Sequence, residues 1–191
     1  MKQITGTAQQ GGMTLIEVII AAVILSIGLL GVFQLHIVAK RGSYEAFYYA
    51  QAAAMANDVL ERMRMNSRLM DQYAGSQYGE GAHTLPEKSC GMAAGVVSRC
   101  SDTEMMLWDK YQWDRLLAGH AELSGEERLG APQDAVGCIF VSGAEVEVIV
   151  SWQGLQGTSD GAAQNSLQAQ SCGVATPYRR QFTATTMMID T

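Results

Sequence analysis

The sequence predicts an α+β fold, one long N-terminal α-helix packed on a small antiparallel β-sheet. Three observations carry this. Residues 13–66 hold no proline and are rich in apolar and helix-favouring side chains. Alternating, β-branched runs are confined to residues 137–152 and 178–189. Between helix and strands lie stretches rich in Gly, Ser and Ala, with Pro86 and Pro132, which read as connections.

The helix comes first. From residue 13 to 38, Glu17 is the only normally charged side chain. A helix of that length reaches roughly 39 Å and can cross a hydrocarbon core of about 30 Å. A carboxylate inside such a segment costs roughly 2.5–3.5 kcal/mol on insertion scales, so it calls for a functional reason. Gly28 and Gly31 suit close helix packing, and they also weaken the helix locally. Lys2 precedes the run and Lys40 and Arg41 follow it, so loop charge sets no orientation.

The helix is expected to continue to residue 66. Tyr44, Phe47, Tyr48, Met55, Val59 and Met63 recur at helical spacing, with Gln51 and Ala52 filling the gap. This draws one apolar stripe, the expected packing face of a domain core. Residues 14–66 as one helix would be roughly 80 Å long. A small domain cannot cover that length, so the first half must find lipid or the same helix of other copies.

Residues 67–100 read as a long connection. Ser101-Asp102-Thr103-Glu104 is a capping-box pattern, and a short helix is predicted over 102–118, stopped at Gly119. Its apolar residues Met105, Met106, Leu107, Trp108, Tyr111, Trp113, Leu116 and Leu117 are expected to pack on the sheet, with a binding surface as the alternative. Residues 120–132 read as loop, punctuated by Gly125, Gly130 and Pro132. Strands follow at 137–141 and 145–152, a hairpin around Ser142-Gly143. Residues 154–176 read as loop, and 178–189 as the last strand.

Composition excludes several classes. The chain has 191 residues and a net charge of −6, and the part beyond Gly42 is acidic. A general nucleic-acid surface needs clustered cations, so no nucleic-acid partner is expected. Cys90, Cys100, Cys138 and Cys172 all lie beyond the apolar run. An even number in an exported domain reads as two disulfides. Cys90–Cys100 and Cys138–Cys172 are expected over the other two connectivities: the first two cysteines share one loop, and the last two flank strands that can pair. The spacings are not those of zinc ligands, so no metal and no cofactor is expected. His36 falls in the apolar run and His83 and His120 in loops, and P-loop and H-E-x-x-H patterns are absent. No catalytic site is expected, and the chain does not read as an enzyme.

The stretch Gly11-Gly12-Met13-Thr14-Leu15-Ile16-Glu17-Val18 and the apolar run after it closely resemble the N-terminus of type IV prepilins. The resemblance implies a leader, residues 1–12, cut by a prepilin peptidase between Gly12 and Met13. Met13 would then be N-methylated, and Glu17 would be the family's fifth-position glutamate, a partner for an assembly salt bridge. Met13 departs from the usual phenylalanine but keeps an apolar side chain. It further implies 13–38 as the membrane and filament-core half of the helix, 39–66 as its amphipathic half, and 67–191 as the periplasmic or extracellular globular domain. The leader would face the cytoplasm, and the protein would sit in the inner membrane before joining a cell-surface pilus.

Weaker features resemble the PilV-type minor pilins: Val59-Leu60-Glu61-Arg62-Met63-Arg64-Met65-Asn66, Gly137-Cys138, Val148-Ile149-Val150-Ser151-Trp152, and Cys172 with Tyr178-Arg179. They imply a low-abundance subunit that primes assembly at the tip and supports adhesion or motility. Its expected partners are other minor pilins, the major pilin and a tip adhesin. A pseudopilin of a type II secretion system shares the leader, Glu17 and the helix, and is the alternative.

Overall fold

The computed structural model describes residues 12–93, 96, 97, 99–120, 123, 124, 127, 128 and 130–189. The expected leader apart from Gly12, and Gly125 of the expected 120–132 loop, lie outside the described residues. The chain divides into two units, Met1–Ser43 and Tyr44–Thr191.

Helix α1 spans Leu15–Met65. Within the first unit its residues are all solvent-exposed. In the second unit a 3-10 turn, Ser67–Tyr73, leads into β1, Gly75–Tyr78. The pair β2 (Met92–Ala93) and β3 (Val96–Val97) forms a two-residue antiparallel ladder. Helix α2 spans Asp102–Leu117. A second short ladder joins β4 (Leu123–Ser124) and β5 (Glu127–Arg128). Then come β6 (Val136–Ser142), β7 (Glu145–Gln153), α3 (Leu167–Ser171) and β8 (Arg179–Met187). Strands β1, β6, β7 and β8 form one four-stranded antiparallel sheet in the order β1-β6-β7-β8. The fold is α+β, a long N-terminal helix packed on a small antiparallel sheet.

The sheet's two faces follow from the period of two along β7. Val146, Val148, Val150 and Trp152 face the main core with Ala52, Met55, Ala56, Val59, Leu60 and Met63 of α1. Full burial of each valine contributes roughly 1.5–3 kcal/mol. Ile149 faces the other way and packs with Ala169 and the disulfide-bonded Cys138 and Cys172. Gly143 makes the tight β6–β7 turn at φ 60°.

Helix α2 is built from local signals. Ser101 accepts from the Glu104 N–H while Glu104 accepts from the Ser101 N–H, a full capping box. At its end the Gly119 N–H donates to Leu116 and the His120 N–H to Arg115, with Gly119 at φ 80°. That is a Schellman stop, and only glycine takes this φ without strain. Trp113 and Leu117 lie over Gly137 of β6, where an added Cβ would fall 2.4 Å from the indole.

Four expectations need correction. The 120–132 loop contains the β4–β5 ladder. The 67–100 connection contains the fourth strand: the buried Tyr73 and Tyr78 anchor it, the Tyr78 hydroxyl donating to the Tyr73 carbonyl at 2.6 Å. The 154–176 loop contains α3, capped by the Ser166 hydroxyl, which accepts from the Ala169 N–H. The α1 packing face starts at Ala52, with Tyr48 half-buried, while Tyr44 and Phe47 are 55% and 60% exposed. They border an open hollow of about 660 Å³ shared with Ala131–Ala135, because no strand reaches far enough to cover them.

Candidate functional site

The chemistry singled out by the sequence lies at the start of α1. Gly12 and Met13 precede the helix, and Met13 is 83% exposed. The first turn closes on Thr14, whose carbonyl accepts from the N–H groups of Glu17 and Val18 at 3.1 and 3.3 Å. Glu17 thus sits in the first turn, where a carboxylate meets the positive end of the helix dipole. Its carboxylate has no hydrogen bond or ion pair with any described residue. Ile16, Val18, Ile20, Val23, Ile24, Ile27, Leu30 and Phe33 around it are at least half exposed. The helix contains a window of mean hydropathy 2.7, none of it buried, long and apolar enough to cross a membrane. A Cβ at Gly28 or Gly31 would meet nothing within 4 Å, so packing within this chain does not require either glycine.

Such a surface cannot stay in water. It offers a single carboxylate at one end of a fully apolar cylinder, and it can be satisfied by lipid or by other apolar helices. Within either environment the carboxylate needs a cationic or hydrogen-bonding partner from another molecule, or a proton.

The second unit holds its polar groups in structural networks. Arg62 of α1 binds Asp58 at 2.9 Å, Asp109 of α2 at 3.0 Å and Gln112 at 2.8 Å. Asp109 also accepts from the buried Tyr73 hydroxyl at 2.9 Å. Burial, then the Asp109 charge, raises the Tyr73 phenol well above its ordinary value, so it stays a donor. Asp114 accepts from the Gly79 N–H at 2.8 Å. His83 stacks on Tyr78 with ring centroids 4.5 Å apart. Burial, then the Lys110 charge, pushes its imidazole below the usual range.

Sequence reasoning missed Arg179. It is 4% exposed and grips Asp160 with two nitrogens at 2.7 and 2.6 Å. It also donates to the carbonyls of Gln170, Cys172 and Gly173. Its hydrogen bonds hold the Asp160 carboxyl below the usual range. An arginine at a strand start with an upstream Asp in a Gly-rich loop was the available signal. The second disulfide joins Cys90 and Cys100 across the β2–β3 ladder. The α2 aromatics divide: Met106, Trp113 and Leu117 are core, while Trp108 and Tyr111 form a half-buried pair 5.7 Å apart.

Residues 7–33 match the model of the prokaryotic N-terminal methylation motif. The chain matches no curated protein and no solved structure. The motif covers the start of α1, including Met13 and Glu17, and it implies processing by a prepilin peptidase and assembly with other pilins. Pilin-like proteins with this motif are structural rather than enzymatic. The motif and the exposed apolar helix fit an inner-membrane-anchored pilin. The chain carries the type IV prepilin-like signal at residues 7–33, a signal found on type IV pilin-like and pseudopilin proteins.

Proposed function

We propose that this chain is a minor pilin of a type IV pilus, incorporated at low abundance, that helps prime assembly at the tip and supports adhesion or motility. The observation that carries the reading is Glu17, without a partner among the described residues, at the head of the exposed apolar half of α1. A peptidase cuts between Gly12 and Met13, and Met13 is then methylated on its new amine. Residues 13–38 wait in the inner membrane and then enter the filament core. Residues 39–66 carry the amphipathic half, and 67–191 form the domain outside. Other minor pilins, the major pilin and a tip adhesin are the partners. Glu17 sets axial register: in a water-poor core its carboxylate meets the ammonium at Met13 of an adjoining subunit, and wrong register leaves both charges unpaired. A pseudopilus is the second reading. The size of the globular part and its two disulfides favour the pilus.

Fractionation tests this. Wild-type protein is expected in sheared pili as a small fraction of the bulk subunit. Glu17→Leu is expected to be cut and to stay in the membrane. Normal amounts of Glu17→Leu in the sheared fraction would end the register role. Wild-type protein confined to the envelope, with secretion lost on its deletion, would favour the pseudopilus.

A further inference from the structure

The sheet has two edges, and they are finished differently. β1 is four residues long, its register against β6 is broken between Gly75 and Tyr78, and Gly79 at φ 97° ends it. Short length and irregular pairing are what protect an edge from adding strands. β8 runs nine residues in unbroken register with β7, and it has no proline. It ends in Met187, 70% exposed, and Ile189 two residues beyond it is 78% exposed.

The direction of its free groups can be read from three hydrogen bonds. Gly154 donates to the Tyr178 carbonyl and Met188 to the Ala144 carbonyl, so even-numbered residues face β7. Gly161 donates to the Arg179 carbonyl at 2.9 Å from the outer side. Odd-numbered residues therefore turn their N–H and C=O outward. Beyond Arg179 the chain around Gly161 leaves the edge. The backbone groups of Thr183, Thr185 and Met187 meet no further partner among the described residues. One rung of a fifth strand is thus in place, and three residues of acceptor edge continue in line with it.

We propose that the outer edge of β8, Thr183 to Met187, is a strand-acceptor site for an extended segment of another protein. The sheet supplies the segment's chemistry. On the core side Phe182 packs edge-on against Tyr49, 5.4 Å between centroids, and Tyr49 is 53% exposed. A segment residue beside Phe182 is apolar. At the other end Arg64, already paired with Glu61, reaches Thr186 at 3.2 Å, so a residue there is polar rather than apolar. On the other face Thr183 and Thr185 favour β-branched neighbours. The occupant is therefore five to seven residues, roughly, alternating apolar and polar, docked by main-chain hydrogen bonds. A second copy fits poorly. Antiparallel β8–β8 pairing needs a twofold axis normal to the sheet, which reverses the two α1 packing segments, whereas chains anchored in one bilayer share one direction. The site is independent of the register role given to Glu17.

The test is photo-crosslinking from the full-length chain in cells that make it, with a benzophenone amino acid placed in turn at Thr183, Thr185 and Met187. The expected crosslinks fall on one segment of a different polypeptide and step along it by two residues as the probe steps by two. Thr185→Pro removes an outward N–H but none that bonds β7. It is expected to weaken crosslinks from Thr183 and Met187 about tenfold or more, while Thr185→Val keeps them. Crosslinks to β8 of a second copy, to lipid, or to scattered sites without the two-residue step would overturn the proposal, as would their absence. The stepping is read in chains with wild-type backbone, so the test stands even where Thr185→Pro fails to fold.

Discussion

The indole N–H of Trp113 donates to the main-chain carbonyl of Met55, 2.9 Å away and fully buried. It ties α2 to the middle of the α1 packing face. Trp113→Phe keeps an aromatic ring but drops the donor, and about 1–3 kcal/mol of stability is expected to go with it. Gly137→Ala attacks the same contact from the strand side, where the new Cβ would displace the indole. A similar loss of about 1–3 kcal/mol is expected. Denaturant unfolding of the detergent-solubilised chain, followed by near-ultraviolet circular dichroism, measures both.

Arg179 and Asp160 form the second fixed point. Arg179→Met removes the donor to Gln170 and Gly173 and one of the donors to Cys172 and to the Asp160 carboxylate, which keep Gln181 and the Ala162 N–H. About 1.5–3 kcal/mol is expected to be lost, as for hydrogen bonds to a charged group, because the Asp160 carboxylate is partly exposed. Arg179→Lys is expected to recover only part, because an ammonium cannot reproduce the fork. A variant that melts with the wild type would show the network to be passive.

Acid is expected to weaken the globular unit in two stages. Folded His83 has a lowered pKa, so as pH falls the unfolded chain takes the proton first. Its contribution is complete above about 6.5 and is lost as pH falls toward the folded value. Asp160, also lowered, loses its contribution only below about 4, as pH falls through its own folded value. His83→Phe keeps the stack on Tyr78 and removes the titration. Melting temperature against pH should then flatten between about 7 and 5 while the lower step remains.

If the proposed cut falls between Gly12 and Met13, Gly12→Val puts a branched side chain at a position the proposal reserves for a residue with none. Full-length precursor is expected to accumulate in the membrane. N-terminal sequencing checks it, and a Gly12→Val product starting at Met13 would move the cut site elsewhere.

The sequence by itself determined the elements whose signals are local. The apolar run with Glu17 defines α1 through length and hydropathy alone. Ser101, Glu104 and Gly119 bound α2 through hydrogen bonds made within one turn. The alternation of 145–152 and 178–189 set two strands to within about two residues. What only the tertiary structure decided depends on partners distant in the chain. Strand β1 has a Gly-Ser-Gln-Tyr sequence with no strand pattern, and it exists because β6 pairs with it and Tyr78 is buried beneath α2. Tyr44 and Phe47 share the helical spacing of Met55 and Val59 but stay exposed, because periodicity shows which face is apolar and not how far the sheet extends along it. Trp113 and Trp108 lie five residues apart on α2, about 140° round the helix, and the position of Gly137 decides which of the two faces is core. Arg179 and an upstream Asp could be picked out, but not their network: the carboxylate and carbonyl partners come together only when the 154–176 segment folds back on the start of β8.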